Sequence, residues 1–192
     1  MRSIVLVLSA LATVFCLSAA GVQTGSPVFL PLVLGPAAYP SPTVDPSPTA
    51  SPSPTADPSP TAAPSLEAEV LALINGERTA RGLAPLVLDA LLEEAAVAHS
   101  EDMATNDFCG HIGSDGSDPV DRLARVGYTW SICGEVVAAG QDNAAAVVAA
   151  WMASDGHRAA LLSAAFTALG IGHSRCEGSG YLHYWAVDLA TP

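Results

Sequence analysis

The 192-residue chain contains no lysine. That absence removes lysine nucleophiles and Schiff-base chemistry at once. All seven cationic side chains are therefore arginines, set against 19 Asp and Glu for a formal net charge of −12. A chain this acidic is repelled by phosphate backbones, which excludes nucleic acid as a natural partner. No CxxC pair occurs, so zinc-ribbon and thioredoxin-like readings have nothing to rest on. HExxH, GxSxG, Walker and GxGxxG motifs are also missing. The leading apolar run, IVLVLSALATVFCL, falls short of the roughly 20 residues that a membrane span requires.

That run has the length of a signal-peptide core. Arg2 precedes it and the small residues SAA follow it, so residues 1–20 read as a signal peptide and the mature chain as exported, without a membrane span. Lipoprotein processing at Cys16 is the lesser alternative, opposed by the bulky Phe15. Export bears on the three remaining cysteines, Cys109, Cys133 and Cys176. An oxidising compartment allows one bridge and leaves one thiol over. Cys109–Cys133 is the first choice and Cys133–Cys176 the second; closing a loop of this size stabilises by about 3 kcal/mol.

Residues 21–65 read as a disordered, Pro/Ser/Thr-rich tether, because Pro-Ser-Pro-Thr recurs about every six residues with almost nothing apolar to bury. Within it, SPVFLPLVLGP is an apolar island: either a leftover beside the signal or a docking segment. From Leu66 the composition changes, and residues 66–192 suffice for one domain. Ser65 is placed to cap a first helix striped by Leu66, Val70, Leu73 and Ile74 and ended by Gly82. A second helix follows Asp89 and carries His99 and Met103. A third starts at Asp118-Pro119 and stops at Gly127. YTWSICGEVVAAG reads as extended at its start. Asp142 is the candidate cap of a fourth helix through Trp151 and Met152, which Gly156 breaks, and HRAALL adds a turn or two. ALGIGHSRC and YLHYWAVDLA, joined by EGSG, read as a terminal hairpin. Helices followed by a hairpin argue for α+β, with helices packed on a small antiparallel sheet.

Of the five histidines, His99 reads as a packed helix residue, and His173 and His183 as cross-strand neighbours. His111 and His157 differ, since each sits in a Gly-flanked break beside a helix, in CGHIG and DGHRA. Glu135 follows a glycine in the same way. Two imidazoles and a carboxylate suit a divalent ion with an open water position. Asp115, Asp118 and Asp121 do not fit the twelve-residue calcium loop.

LINGERTARGLAPLVLDALLEEAAVAHSEDMATNDFCGH, DGSDPVDRLARVGY, CGEVVAAG, WMASDGHRAALLSAAFTALGIG and YLHYWAVDLA, in that order, resemble the bacterial branch of the CAP superfamily, the SCP-like extracellular domain. The resemblance covers residues 66–192 and implies an α-β-α sandwich. It also implies a cleft with two histidines and two acids, associated with divalent metal: His111, His157 and Glu135 match by motif. The second acid belongs three residues after Trp151, where this chain has Ser154; the adjacent Asp155 is the candidate stand-in. Val136 replaces the usual Asn after Glu135. A Cys109–Cys133 bridge would hold His111 and Glu135 together before any ion bound.

The expectation is a secreted binding module on a Pro-rich spacer. It would hold a divalent metal, zinc by preference, and take an extracellular ligand such as a lipid or envelope component. The alternative is a metal-dependent extracellular hydrolase or peptidase, with Glu135 as its base.

Overall fold

Ser65, Asp89 and Asp118 start their helices as the sequence expects. Each side chain accepts a backbone N–H from the first turn that follows it, satisfying donors that a helix start leaves open. In the computed structural model, which describes residues 28–34 and 64–192, these caps open α1 (Leu66–Thr79), α2 (Ala90–Asn106) and α3 (Pro119–Arg125). Asp121 completes a reciprocal capping box with Asp118. Asn143, not Asp142, caps α4 (Ala144–Ala153), and α5 is Asp155–Leu161. The chain turns between α4 and α5 at Ser154, so Gly156 falls inside α5 rather than breaking α4. The signal-peptide reading and most of the tether lie outside the described residues.

The strands are β1 (Val28–Leu34), β2 (Val87–Leu88), β3 (Ile132–Ala139), β4 (Ala168–Arg175) and β5 (His183–Thr191). They form one sheet in the order β1-β3-β5-β4-β2, antiparallel except for the short β2–β4 pair. In the YTWSICGEVVAAG stretch the extended part is the end, Ile132–Ala139, not the beginning. The apolar island of the tether is β1, whose backbone pairs with β3.

Alternation along the strands sorts the two faces of the sheet. Val136, Ala138, Trp185, Val187, Leu189, Leu169 and Ile171 pack with Val70 and Ile74 of α1, Val147 and Trp151 of α4, and Leu161 of α5. On the other face, Cys133, Val137, Ala186 and Ala190 meet α2 through Leu92, Ala95, Ala96 and Met103. The result is the expected α-β-α sandwich. β4 meets α2 through Gly170 and Gly172, where the helix lies directly on the strand backbone.

Two residues of the LINGERTARG stretch act as staples. The Asn75 amide exchanges two hydrogen bonds with Leu86 (2.9 and 2.7 Å), fixing the approach to β2. The buried Arg78 guanidinium donates to the carbonyls of Ala84, Leu161, Ser163 and Phe166, tying α1 to the α5–β4 turn.

His173 and His183 are cross-strand neighbours, as expected. Their rings stack, with 3.0 Å between His173 Nε2 and His183 Nδ1, and His173 also stacks on Trp185. Burial, then the His183 charge, holds the His173 pKa below the usual imidazole value, against a weaker upward pull from Glu67. The unfolded chain therefore binds the proton more readily than the folded one. Stability from this residue is full above about pH 6.5 and declines as pH falls below it. Denaturation midpoints at pH 7.5 and 5 should differ less in His173→Asn than in the parent chain.

Candidate functional site

Glu135 sits on β3 with a fully buried side chain, an expensive place for a charge unless it is paired. Two groups meet it. His111, in the loop after α2, places Nδ1 2.7 Å from Oε1, and Arg122 of α3 donates to Oε2 at 2.6 Å. Burial works against the charge, but the His111 hydrogen bond and the neighbouring His99, Arg122 and His111 charges outweigh it, holding the Glu135 pKa below the usual carboxylate value. Because Glu135 is ionised, the shared proton lies on His111 Nδ1, which fixes the tautomer.

Arg122 does more than pair. Its guanidinium also donates to the carbonyls of His111 and Ser117, both at 3.0 Å. The α3 capping box and Pro119 set the helix so that this side chain turns inward. His99 adds a second brace: its Nε2 donates to the Gly110 carbonyl at 2.8 Å, fixing the residue just before His111.

His157 lies in the first turn of α5. Ser154 occupies the N-cap position there without capping. Its hydroxyl stands 2.8 Å from His157 Nδ1 instead. His157 Nε2 is buried with no hydrogen-bond partner among the described residues. Burial, then the charge of His111, lowers the His157 pKa to about 4, so the ring is neutral at physiological pH.

Asp155 does not enter the cleft. It is exposed and pairs with Arg158, so Ser154 holds the position three residues after Trp151 and Asp155 does not substitute for the missing acid. A further acid, Asp188 of β5, stands directly opposite Glu135 in the sheet. It is fully buried, and neither carboxyl oxygen has a hydrogen-bond partner among the described residues. Burial and then the Glu135 charge raise its pKa well above the ordinary carboxylate value. The signal for it in the sequence was one Asp inside the apolar run WAVDLA.

The expected Cys109–Cys133 bridge is not formed, nor is Cys133–Cys176: the three described cysteines are separate thiols. Cys133 packs with Leu92, Val120 and Leu123, whereas Cys109 belongs to the cluster of Met103, Val137 and Ala139. Glu135 lies between these groups along β3. Arg122 ties the His111 loop to Glu135 of β3 instead. Burial above all pushes both buried thiols up to about 12. Alkylation of the native protein at pH 8 without reductant should therefore label Cys176, with Cys109 and Cys133 reacting only after unfolding. A digest containing a Cys109–Cys133 linked peptide would contradict this.

A divalent ion fits these residues in a restricted way. No group of three or more His, Cys, Asp or Glu among the described residues is arranged to hold a metal. Both Glu135 oxygens are taken by His111 and Arg122. The donor set that remains is imidazole nitrogen, with the inner nitrogen of each ring held by Glu135 or Ser154, as outer partners hold metal-binding histidines.

A sheet sandwiched between helix layers, with a loop histidine bonded to a strand glutamate, describes the class. The chain belongs to the CAP family (Cysteine-rich secretory protein family), which matches residues 71–189. It is 37% identical over 107 residues to the uncharacterized Bacillus subtilis (strain 168) protein YkwD, covering 56% of this chain and 42% of that protein. It is also 37% identical over 109 residues to the uncharacterized Bacillus subtilis membrane protein YlbC, covering 57% and 32%. The chain thus spans less than half the length of these relatives. Among solved structures it is similar to an extracellular SCP-domain protein of Bacillus anthracis (TM-score 0.60, 27% identity, 66% of this chain and 40% of that one). An outer surface protein of Borrelia burgdorferi shares the fold (TM-score 0.56, 23% identity, 64% and 89%). No helix among the described residues is long and apolar enough to cross a membrane.

Proposed function

We propose that this CAP domain works outside the cell or at its envelope as a binding module rather than by turnover. Its site is the His111–His157 pair, oriented by Glu135 and Ser154. One observation carries the reading: Ser154 gives up the capping of α5 to hold His157 Nδ1, leaving a buried neutral imidazole nitrogen without a partner among the described residues. A local rule broken in this way marks a functional position more often than a structural one.

A divalent ion of the zinc class would be held by His157 and His111, with Glu135 and Ser154 as their outer partners. It would supply a positively charged anchor for an anionic or carbonyl group of an extracellular ligand. Glu135 in this reading orients His111 and keeps it in one tautomer. It is a poor general base, because Arg122 and His111 already take both of its oxygens. That counts against the hydrolase alternative in the form that makes Glu135 the base.

Calorimetric titration of the purified full chain with zinc tests the reading. Uptake of about one equivalent is expected, abolished by His157→Ala and weakened roughly 10–100-fold by Ser154→Ala, the usual cost of losing an outer partner. Zinc uptake unchanged by either variant would place the ion elsewhere.

A further inference from the structure

The edge of β3 beside Glu135 is occupied by the chain's own Val28–Leu34, and we propose that this edge is a peptide-binding groove whose cis occupant is exchangeable. It would accept an extended, apolar, proline-containing segment by strand addition. Segment 28–34 fills it until a competing peptide of the same character displaces it.

Three observations carry this. First, β1 is the end strand of the sheet, and β3 is buried from Cys133 to Ala139. Taking β1 away would leave an interior-type strand with a row of unpaired backbone groups, which is the template that strand addition needs.

Second, the β1 ladder is interrupted. Val28 and Phe29 pair with Ala138 and Val137, and Leu32, Val33 and Leu34 with Glu135, Gly134 and Cys133. Between them Leu30 and Pro31 together oppose Val136, a one-residue bulge at the residue that has no N–H to donate. Five pairs in two pieces hold β1, whereas eight consecutive pairs join β3 to β5. β1 is therefore the less continuously paired of the two neighbours of β3.

Third, β1 touches both halves of the candidate site. Leu32 pairs with Glu135 itself, and the strand also contacts α5, the helix that carries His157.

The covalent connection favours refilling of the groove by the chain's own segment. Residues 35–65 separate β1 from α1, and a chain of that length can extend to about 100 Å. A segment on such a connection re-binds at an effective concentration far above that of a free peptide. Modest pairing then suffices to fill the groove in cis, and cutting the connection removes the advantage. The proposal rests on the backbone ladder, so it stands or falls apart from the metal reading.

A site-specific protease sequence replacing residues 50–55 of the full chain provides the test. The probe is a fluorescein-labelled peptide, SPVFLPLVLGP, copying residues 26–36. After cleavage and removal of the N-terminal fragment, the probe should bind saturably, at least tenfold more tightly than to the uncut chain, and equally with or without chelator. A probe carrying Pro in place of Val33 should not bind. Hydrogen exchange across residues 131–140 should speed up when the fragment leaves and slow again when the probe is added, with the near-ultraviolet circular dichroism of the domain preserved. Equal or absent probe binding to cut and uncut chains would overturn the proposal. So would exchange across 131–140 that is indifferent to the fragment, or a fragment that excess probe cannot displace.

Discussion

Arg122→Met is expected to be the most damaging single change near the site. The substitution keeps much of the side-chain volume and removes the charge. It leaves Glu135 ionised, fully buried and short of its closest cation, and it frees the carbonyls of His111 and Ser117. Breaking a buried pair from one side costs about 3–5 kcal/mol, and for a domain of this size that corresponds to a fall in Tm on the order of 10–20 °C. Arg122→Lys should recover only part of the loss, since one ammonium cannot span the three acceptors that the guanidinium reaches. The double variant Arg122→Met/Glu135→Gln should be distinctly more stable than Arg122→Met alone, because the stranded charge is gone. Thermal and urea denaturation of the parent chain, Arg122→Met, Glu135→Gln and the double variant form the cycle that checks this. Additive losses in the double variant would show that Arg122 acts through its packing and not through Glu135.

Gly170→Ala should be comparably severe for a different reason. A methyl group there would overlap the carbonyl carbon of Leu92 and the backbone nitrogen of Glu93, and at Gly172 it would strike the Ala96 carbonyl. The obstacle is helix backbone, which cannot swing aside like a side chain. The cost should therefore exceed the roughly 1–3 kcal/mol of ordinary overpacking. Either α2 lifts from β4, carrying His99 and the start of the His111 loop with it, or the domain fails to accumulate. Gly76→Ala is the matched control. Nothing stands within 4 Å of a methyl group at that exposed position of α1, so the helix should gain about 0.5–1 kcal/mol. Soluble yield and denaturation midpoints of the two variants should move in opposite directions.

What the sequence disclosed follows from the range of the interactions involved. Ser65, Asp89 and Asp118 were legible as caps because each bonds within its own first turn. Where two cap residues stood side by side, Asp142 and Asn143, local chemistry could not choose between them. His111, Glu135 and His157 stood out through their glycine-flanked breaks and the family resemblance, and His111 with Glu135 is in direct contact. Arg122 was hidden because a basic residue in the last turn of a helix normally answers the helix dipole and faces water. Asp188 was hidden because only its register opposite Glu135 gives it a role. β1 was hidden because its partner lies about a hundred residues away, and because Pro31 argues against a strand unless a bulge accommodates it. The disulfide expectation came from counting thiols in an exported chain. Counting carries no information on where each cysteine packs, and here Cys109 and Cys133 sit in separate apolar clusters.

Nitrogen-resolved NMR of histidine-labelled full chain, recorded before and after one equivalent of zinc, addresses the arrangement of the two imidazoles directly. The metal-free spectrum should show His111 protonated at Nδ1 and non-protonated at Nε2, and zinc should shift the Nε2 signals of His111 and His157 together while the His99, His173 and His183 signals stay in place. A His111 ring protonated at Nε2, or zinc shifts confined to the His173–His183 pair, would contradict the arrangement described for this site.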